Sequence, residues 1–156
     1  MPTPAYPLDL RTVLQSSKTR TQPASFRMSE PRRGYAYAQA VGTDAPVFWN
    51  VEFRFARTEA IRFQLWFKTV ISNSLLEFTL PIRTEFGLID HTCRFLHDSL
   101  LDCREDGQSF SYSAKIMART QVIPQVVLDS AEIIIALNNW DVWAEVLDVA
   151  LTEALE

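Results

Sequence analysis

The segment between residues 47 and 55 constrains the fold most, because its side chains alternate between apolar and polar. The alternating apolar positions are Val47, Trp49, Val51, Phe53 and Phe55. Only Phe48 breaks the period of two. This period is typical of a strand in an antiparallel sheet with one face on a core and the other in water. We therefore predict a β-rich domain with an aromatic core.

The next segment has the period of a helix. Thr58 offers an N-cap, and Glu59 suits the positive end of a helix dipole. Apolar residues then recur at steps of three and four, at Ala60, Phe63, Trp66, Phe67, Val70 and Ile71. The pattern predicts an amphipathic helix over residues 59–72, ended by Asn73 and Ser74.

Further strands are predicted on both sides of this helix, over residues 35–41, 76–83, 90–96 and 110–118. Pro81 lies inside one of them, which indicates an edge position or a bulge because proline cannot donate to a ladder. Strands around a single helix favour the α+β class. We expect a small antiparallel β-sandwich or barrel-like core with one packed amphipathic helix, an extended N-terminal arm and a C-terminal helical extension.

The chain divides into three parts. Residues 1–26 hold four prolines and no sustained period, which predicts an extended arm that orders only against another surface. Residues 27–120 form the β-rich core, and residues 121–156 an acidic helical extension. Within the extension, Asp129 or Ser130 can cap a short helix through Leu137, although the isoleucines at 133–135 fit a strand equally well.

The last predicted helix begins at Asn139 and has an apolar stripe. Its residues include Trp140, Trp143 and Leu147. One interpretation is a helix face that belongs to the core, and the other is a docking helix for a partner.

Charge is distributed unevenly in this chain of 156 residues, whose net charge is −4. Residues 1–70 hold ten Lys and Arg against five acids, whereas residues 125–156 hold seven acids and no base. The acids either form a solvated helix face or make the acidic end of a subunit that contacts a copy of itself or a neighbouring protein head to tail. Because the basic residues are scattered, we expect no direct nucleic-acid recognition. The sequence also lacks a long uncharged apolar run, so we expect no membrane partner.

Residues with catalytic or metal-binding chemistry are few. His91, Cys93, His97 and either Asp98 or Asp102 are competent metal ligands, but their spacing matches no known site. A Cys–His nucleophile pair would need a cationic pocket or a helix N-terminus around the thiolate. We therefore expect no catalytic residue, no metal and no cofactor, with Cys93 as a core residue. Two cysteines do not make a disulfide framework, and a reducing cytoplasm is the expected site of synthesis.

Short motifs resemble a family of small bacteriophage tail proteins. In order they are residues 49–53 (WNVEF), 63–67 (FQLWF), 78–82 (FTLPI), 87–95 (GLIDHTCRF) and 112–119 (YSAKIMAR). Residues 27–34 (RMSEPRRG) also resemble the stretch that precedes the first core strand in that family. The acidic extension after Arg119 departs from the family pattern.

The resemblance implies a virion structural protein, made in the host bacterial cytoplasm and assembled into the tail. At tube, completion or adaptor, or tail-tip level, such a subunit forms a homo-oligomeric ring or tube and joins other phage tail proteins. It carries no catalytic residues. The candidate interface residues are Arg32, Arg33, Trp140, Trp143 and Leu147.

Two other hypotheses remain open at this point. A small phage-encoded protein could bind a host protein through the acidic C-terminal helix. An enzyme would use the cluster around His91 and Cys93.

Overall fold

The protein has an antiparallel β-sheet domain with few helices, which confirms the predicted α+β class. The structure is a computed structural model that describes residues 2–7, 10, 18–42, 45–96, 102–137, 141–146 and 149. The strands are β1 (Thr19–Thr21), β2 (Phe26–Ser29), β3 (Tyr37–Ala40), β4 (Val47–Ala56), β5 (Phe78–Thr84), β6 (Gly87–Phe95), β7 (Cys103–Glu105) and β8 (Ser109–Ala118). The helices are α1 (Arg57–Leu65), which continues as a π-helical turn (Trp66–Val70), α2 (Gln125–Asp129), α3 (Ala131–Ala136) and α4 (141–146).

Strand β8 organises the main sheet, whose order is β1-β4-β8-β6-β5. One edge of β8 pairs along its whole length with β4, from Val47 opposite Ala118 to Ala56 opposite Ser109. The other edge of β8 is shared by β6, which pairs near Ala118, and β7, which pairs near Tyr112. All these pairs are antiparallel.

The two outer strands of this sheet approach each other. The Lys18 ammonium donates a hydrogen bond to the Arg83 carbonyl at the end of β5. Two residues further along each segment, the Arg20 guanidinium donates to both carboxylate oxygens of Glu85, with 2.7 Å between Nη1 and Oε2. Because β1 and β5 are opposite ends of the strand order, these contacts indicate that the sheet is curled, in agreement with the sandwich or barrel-like core that the sequence predicted.

Pro81 lies in the outer strand β5, as its position in the sequence predicted. The Thr79 N–H donates to the Pro4 carbonyl, and the Thr79 carbonyl accepts from the Tyr6 N–H, both at 2.9 Å. Backbone groups two residues apart in a strand face the same edge. The proline nitrogen therefore faces the edge away from β6, where its missing N–H removes no bond between β5 and β6.

Alternate side chains of the four long strands point to one buried face, and the helix covers it. On β4 the alternating residues Val47, Trp49, Val51, Phe53 and Phe55 are all buried. Aromatic rings fill the space between sheet and helix: Phe63 of α1 lies 4.9 Å from Phe55, and Phe78 lies 4.7 Å from Phe95, measured between ring centroids. Tilted and stacked ring contacts of this kind add to the free energy gained by apolar burial.

The helix begins two residues earlier than predicted. Thr58 is inside α1 and does not cap it; the N-cap is Ala56, whose N–H donates to the Glu59 carboxylate at 3.0 Å. Glu59 thus satisfies a free backbone donor in addition to its favourable charge at the helix start. At the other end, Ser72, Asn73 and Ser74 all have positive φ, from 51° to 75°, and turn the chain towards β5.

The N-terminal residues lie on the chain's own core. Ala5 bridges Thr79 in parallel orientation, and its carbonyl accepts a hydrogen bond from the Trp66 indole at 3.2 Å. Tyr6 and Leu10 are buried. These residues of the predicted arm are therefore ordered within the same chain and not by another molecule, because Tyr6 fills a place in the aromatic core between Phe53 and Trp66.

Candidate interaction surfaces

A two-stranded hairpin projects between β1 and β4. We call residues 25–41 the hairpin; β2 and β3 pair within it from Phe26 opposite Ala40 to Ser29 opposite Tyr37. Among the described residues, no other strand pairs with it. The hairpin is thus attached to the domain mainly through its two chain connections.

One face of the hairpin is apolar and exposed. The register places Phe26 opposite Ala40 and Met28 opposite Ala38, so these four side chains share a face. Phe26 and Met28 are 50% and 53% exposed. An isolated two-stranded hairpin is at best marginally stable in water. An exposed apolar face on such an element indicates that something else covers it.

The predicted interface residues Arg32 and Arg33 lie at the tip of the hairpin. Both are exposed, and the left-handed Gly34 (φ +107°) follows them in the turn. Tyr35, next to the glycine, is 97% exposed. Arg27 adds a third positive charge in β2, and Glu30 is the one acid of the hairpin. The hairpin therefore combines an apolar face with a net positive tip.

The second exposed surface is the described part of the C-terminal region, residues 121–137, 141–146 and 149, which we call the extension. Ser130 occupies the N-cap position of α3, one of the two positions predicted, but its side chain makes no cap hydrogen bond. The isoleucines at 133–135 are helical, and Leu137 is the C-cap. Neither α2 nor α3 has a buried residue. Their most exposed large apolar side chains are Val126, Ile133 and Ile135.

Helix α4 carries the remaining predicted interface residue that can be placed. Trp143 is 50% exposed, and the side chains of Val142 and Val146, one helical turn apart, are also exposed. Asp141 and Glu145 have the same spacing beside them. Trp140 and Leu147 lie outside the described residues. The described part of this helix has no buried residue, but Trp143 is the only described member of the predicted stripe, so both interpretations of the helix remain predictions.

His91 joins the base of the extension to the sheet. Its ring is fully buried in β6, Nδ1–H donates to the Ile89 carbonyl at 2.8 Å, and Nε2 accepts from the Val122 N–H at 3.2 Å. A backbone N–H can only donate, so Nε2 carries the lone pair and the ring is neutral. Burial lowers the pKa of His91, against the opposing effects of the Ile89 carbonyl and Asp90.

This geometry gives no support to chemistry at the His91–Cys93 cluster. Both imidazole nitrogens are used in hydrogen bonds, so neither is free to bind a metal or accept a proton. Cys93 is buried, and burial together with the nearby Glu77 raises the pKa of its thiol to about 12, which leaves almost no thiolate at neutral pH. Cys93 is a core residue, as predicted. Asp102 is exposed, whereas His97 and Asp98 lie outside the described residues.

Neither a metal site, a membrane helix nor a known relative assigns a function to the described part of the chain. In the described part of the chain, no three His, Cys, Asp or Glu side chains are grouped to hold a metal ion, and no helix is long and apolar enough to cross a membrane. No family model, curated protein or solved structure matches the chain. The resemblance to phage tail proteins therefore stays a prediction.

The arginines of the hairpin were predicted as interface residues from the sequence, but its apolar face was not predicted. Phe26 and Met28 fell at the boundary between the predicted arm and the core. The alternation of Phe26, Arg27, Met28 and Ser29 is a signal that could have found the strand.

Proposed function

We propose that this protein is a structural subunit of a bacteriophage tail, which associates with copies of itself into a ring or tube and joins neighbouring tail proteins. The observation that carries the proposal is the presence of two exposed apolar surfaces of opposite charge, the hairpin and the extension. Such surfaces are typical of proteins whose exposed apolar side chains become buried when the subunits assemble. The resemblance of the motifs between residues 49 and 119 supplies the biological setting.

The domain beneath these surfaces suits a scaffold. Backbone hydrogen bonds of Pro4 and Tyr6 with Thr79 cover part of the outer edge of β5, which leaves less edge for unspecific strand pairing. Assembly would then depend on the projecting elements. A subunit of this kind stays monomeric in dilute solution and associates as its concentration rises.

The proposal is tested by the mass of the full-length protein in solution. Light scattering at increasing protein concentration should show a discrete species of several subunits. A chain that ends at residue 124 keeps the complete sheet and should lose that species while it stays folded by circular dichroism. A wild-type protein that remains a monomer at every concentration would contradict self-association.

A second candidate function is favoured by one observation, the exposed Trp143 on the acidic α4. A small phage-encoded protein could use this helix to bind a host protein, because buried tryptophan often dominates an interface. In that case the wild-type chain is monomeric, and removal of residues 125–156 abolishes capture of the host partner while the shortened chain also remains a monomer. The light-scattering experiment separates the two functions.

A further inference from the structure

The hairpin and the extension complement each other, although they belong to the same chain. We infer that the apolar face and tip of the hairpin of one copy bind the extension of a second copy, with α4 as the main contact. The inference rests on the proposed self-association and names the surfaces that carry it. Three properties of the described residues support it: charge, apolar exposure and size.

The charges of the two surfaces are opposite. The hairpin holds three arginines against Glu30. The described residues 125–137 and 141–146 hold four acids, Asp129, Glu132, Asp141 and Glu145, and no Lys or Arg. Charge complementarity selects the partner and its orientation more than it adds affinity. It favours a contact between hairpin and extension over contacts between two hairpins or two extensions.

The apolar parts of the two surfaces are both unsatisfied within one chain. Phe26 and Met28 are about half exposed on the hairpin, and Val142, Trp143 and Val146 are 50–60% exposed on α4. Neither surface is covered by the chain's own described residues, so both are available for a contact between molecules. Burial of an apolar side chain of this size contributes free energy in proportion to the area removed from water.

The dimensions of the two elements also match. Each hairpin strand has four residues, which is about 13 Å at the usual strand rise. Helix α4 has six described residues, about 9 Å at the helical rise. A short helix with an i, i+4 apolar pair can therefore lie on the hairpin face while its acids reach the arginines at the tip.

Because the two surfaces differ, the contact is heterologous. Each copy offers a hairpin to one neighbour and an extension to the other, so the contact repeats until a ring closes or a filament continues. This is the geometry that a ring or tube subunit needs. Because the two surfaces differ, the charge of each can be reversed separately in the full-length chain, and the effect on assembly can be predicted for each reversal.

Two charge-reversed proteins test the inference. The first carries Arg32→Glu and Arg33→Glu, and the second carries Asp141→Lys and Glu145→Lys. All four residues are exposed, so both proteins should fold. In each protein alone the contact is repulsive, and the concentration for half-assembly should rise at least about tenfold, measured by light scattering at low salt. In an equimolar mixture every hairpin meets an extension of opposite charge, and co-assembly should be restored.

Control variants separate the proposed contact from general effects. Arg57→Glu with Lys68→Glu changes the net charge as much as the hairpin variant does, on exposed residues of α1 and the π-helical turn, and should leave assembly unchanged. For the apolar face, Phe26→Ser should weaken assembly, whereas Leu88→Ser, at a strand residue of similar exposure (55%), should not.

The outcomes distinguish this inference from the proposed function. If the wild type assembles and both charge-reversed proteins assemble equally well alone, the contact lies elsewhere and the inference is overturned, while self-association stands. If each variant is impaired but the mixture is not restored, the two surfaces do not bind each other and the inference is again overturned. If the wild type never assembles, the proposed self-association fails as well.

Discussion

Replacement of His91 by phenylalanine tests how the extension is joined to the sheet. The wild-type ring donates a hydrogen bond to the Ile89 carbonyl and accepts one from the Val122 N–H. The imidazole and the Trp49 ring meet edge to face, with 5.3 Å between their centroids. Phenylalanine keeps a planar ring beside the tryptophan but makes neither hydrogen bond. A buried donor left without a partner costs about 1–3 kcal/mol. Because Val122 is only half buried, water can reach its N–H. We therefore expect His91→Phe to lower the free energy of unfolding by about 1–2 kcal/mol.

The same residue makes the stability depend on pH. Burial lowers the pKa of His91 below its usual 6.5, so the unfolded chain takes up the proton at a higher pH than the folded chain. The contribution of neutral His91 is therefore complete above pH 6.5 and is lost as the pH falls towards the folded-state pKa. The slope in this window is at most about 1.4 kcal/mol per pH unit. The window lies above the titration of carboxylates such as Glu77 and Glu85, whose pKa values are lowered by Arg119 and Arg20.

The assay is urea unfolding followed by tryptophan fluorescence between pH 8 and pH 5.5, combined with hydrogen exchange at the Val122 amide. His91→Phe should lose the pH slope and the protection of that amide. His91→Gln should lose the slope but retain an acceptor for the Val122 N–H. A His91→Phe protein with wild-type stability, slope and amide protection would refute the assignment of the Nε2 hydrogen bond.

Three other substitutions or labels probe the core. Phe53→Ala removes a fully buried ring and should lower the free energy of unfolding by about 3–5 kcal/mol in urea titrations; a loss below 1 kcal/mol would contradict its central position. Tyr6→Ala should cost less, about 2–3 kcal/mol, because residues 2–7 can detach while the sheet stays paired, and exchange at Thr79 should report that detachment. At pH 8 a thiol reagent should label the half-buried Cys103 long before Cys93, and fast labelling of both would contradict the buried thiol.

The long strands could be predicted from the sequence because their two faces meet different environments. In β4, Phe53 is buried in the core and Arg54 is exposed to water. This difference between the two faces produces the alternation of apolar and polar residues in the sequence. The position of β8 between β4 and β6 could not be predicted, because backbone hydrogen bonds between distant segments do not depend on which side chains the strands carry.

The elements that were missed lack that contrast. Strand β1, from Thr19 to Thr21, has three exposed residues, and in the hairpin even the apolar side chains face solvent. Tyr6 is flanked by prolines that indicated an extended arm, although its ring belongs to the core. The helix start was misplaced because Ala56 has no side-chain acceptor, and the cap is supplied by Glu59.

The candidate site was found only in part for the same reason. The acidic extension and the arginines at 32 and 33 are visible as charge along the sequence, whereas the partner of His91 is a backbone amide 31 residues away. That amide has no signature in the sequence. The sequence pattern placed His91 beside Cys93 on one strand face and predicted a core position for Cys93, but it did not indicate the hydrogen bond of His91 to Val122.

Negative-stain imaging of the full-length protein at the concentration where its mass rises tests the central claim most directly. Rings or tubes of regular diameter, absent from the chain that ends at residue 124, are the predicted result. Isolated particles of about 18 kDa at every concentration would contradict a self-associating tail subunit.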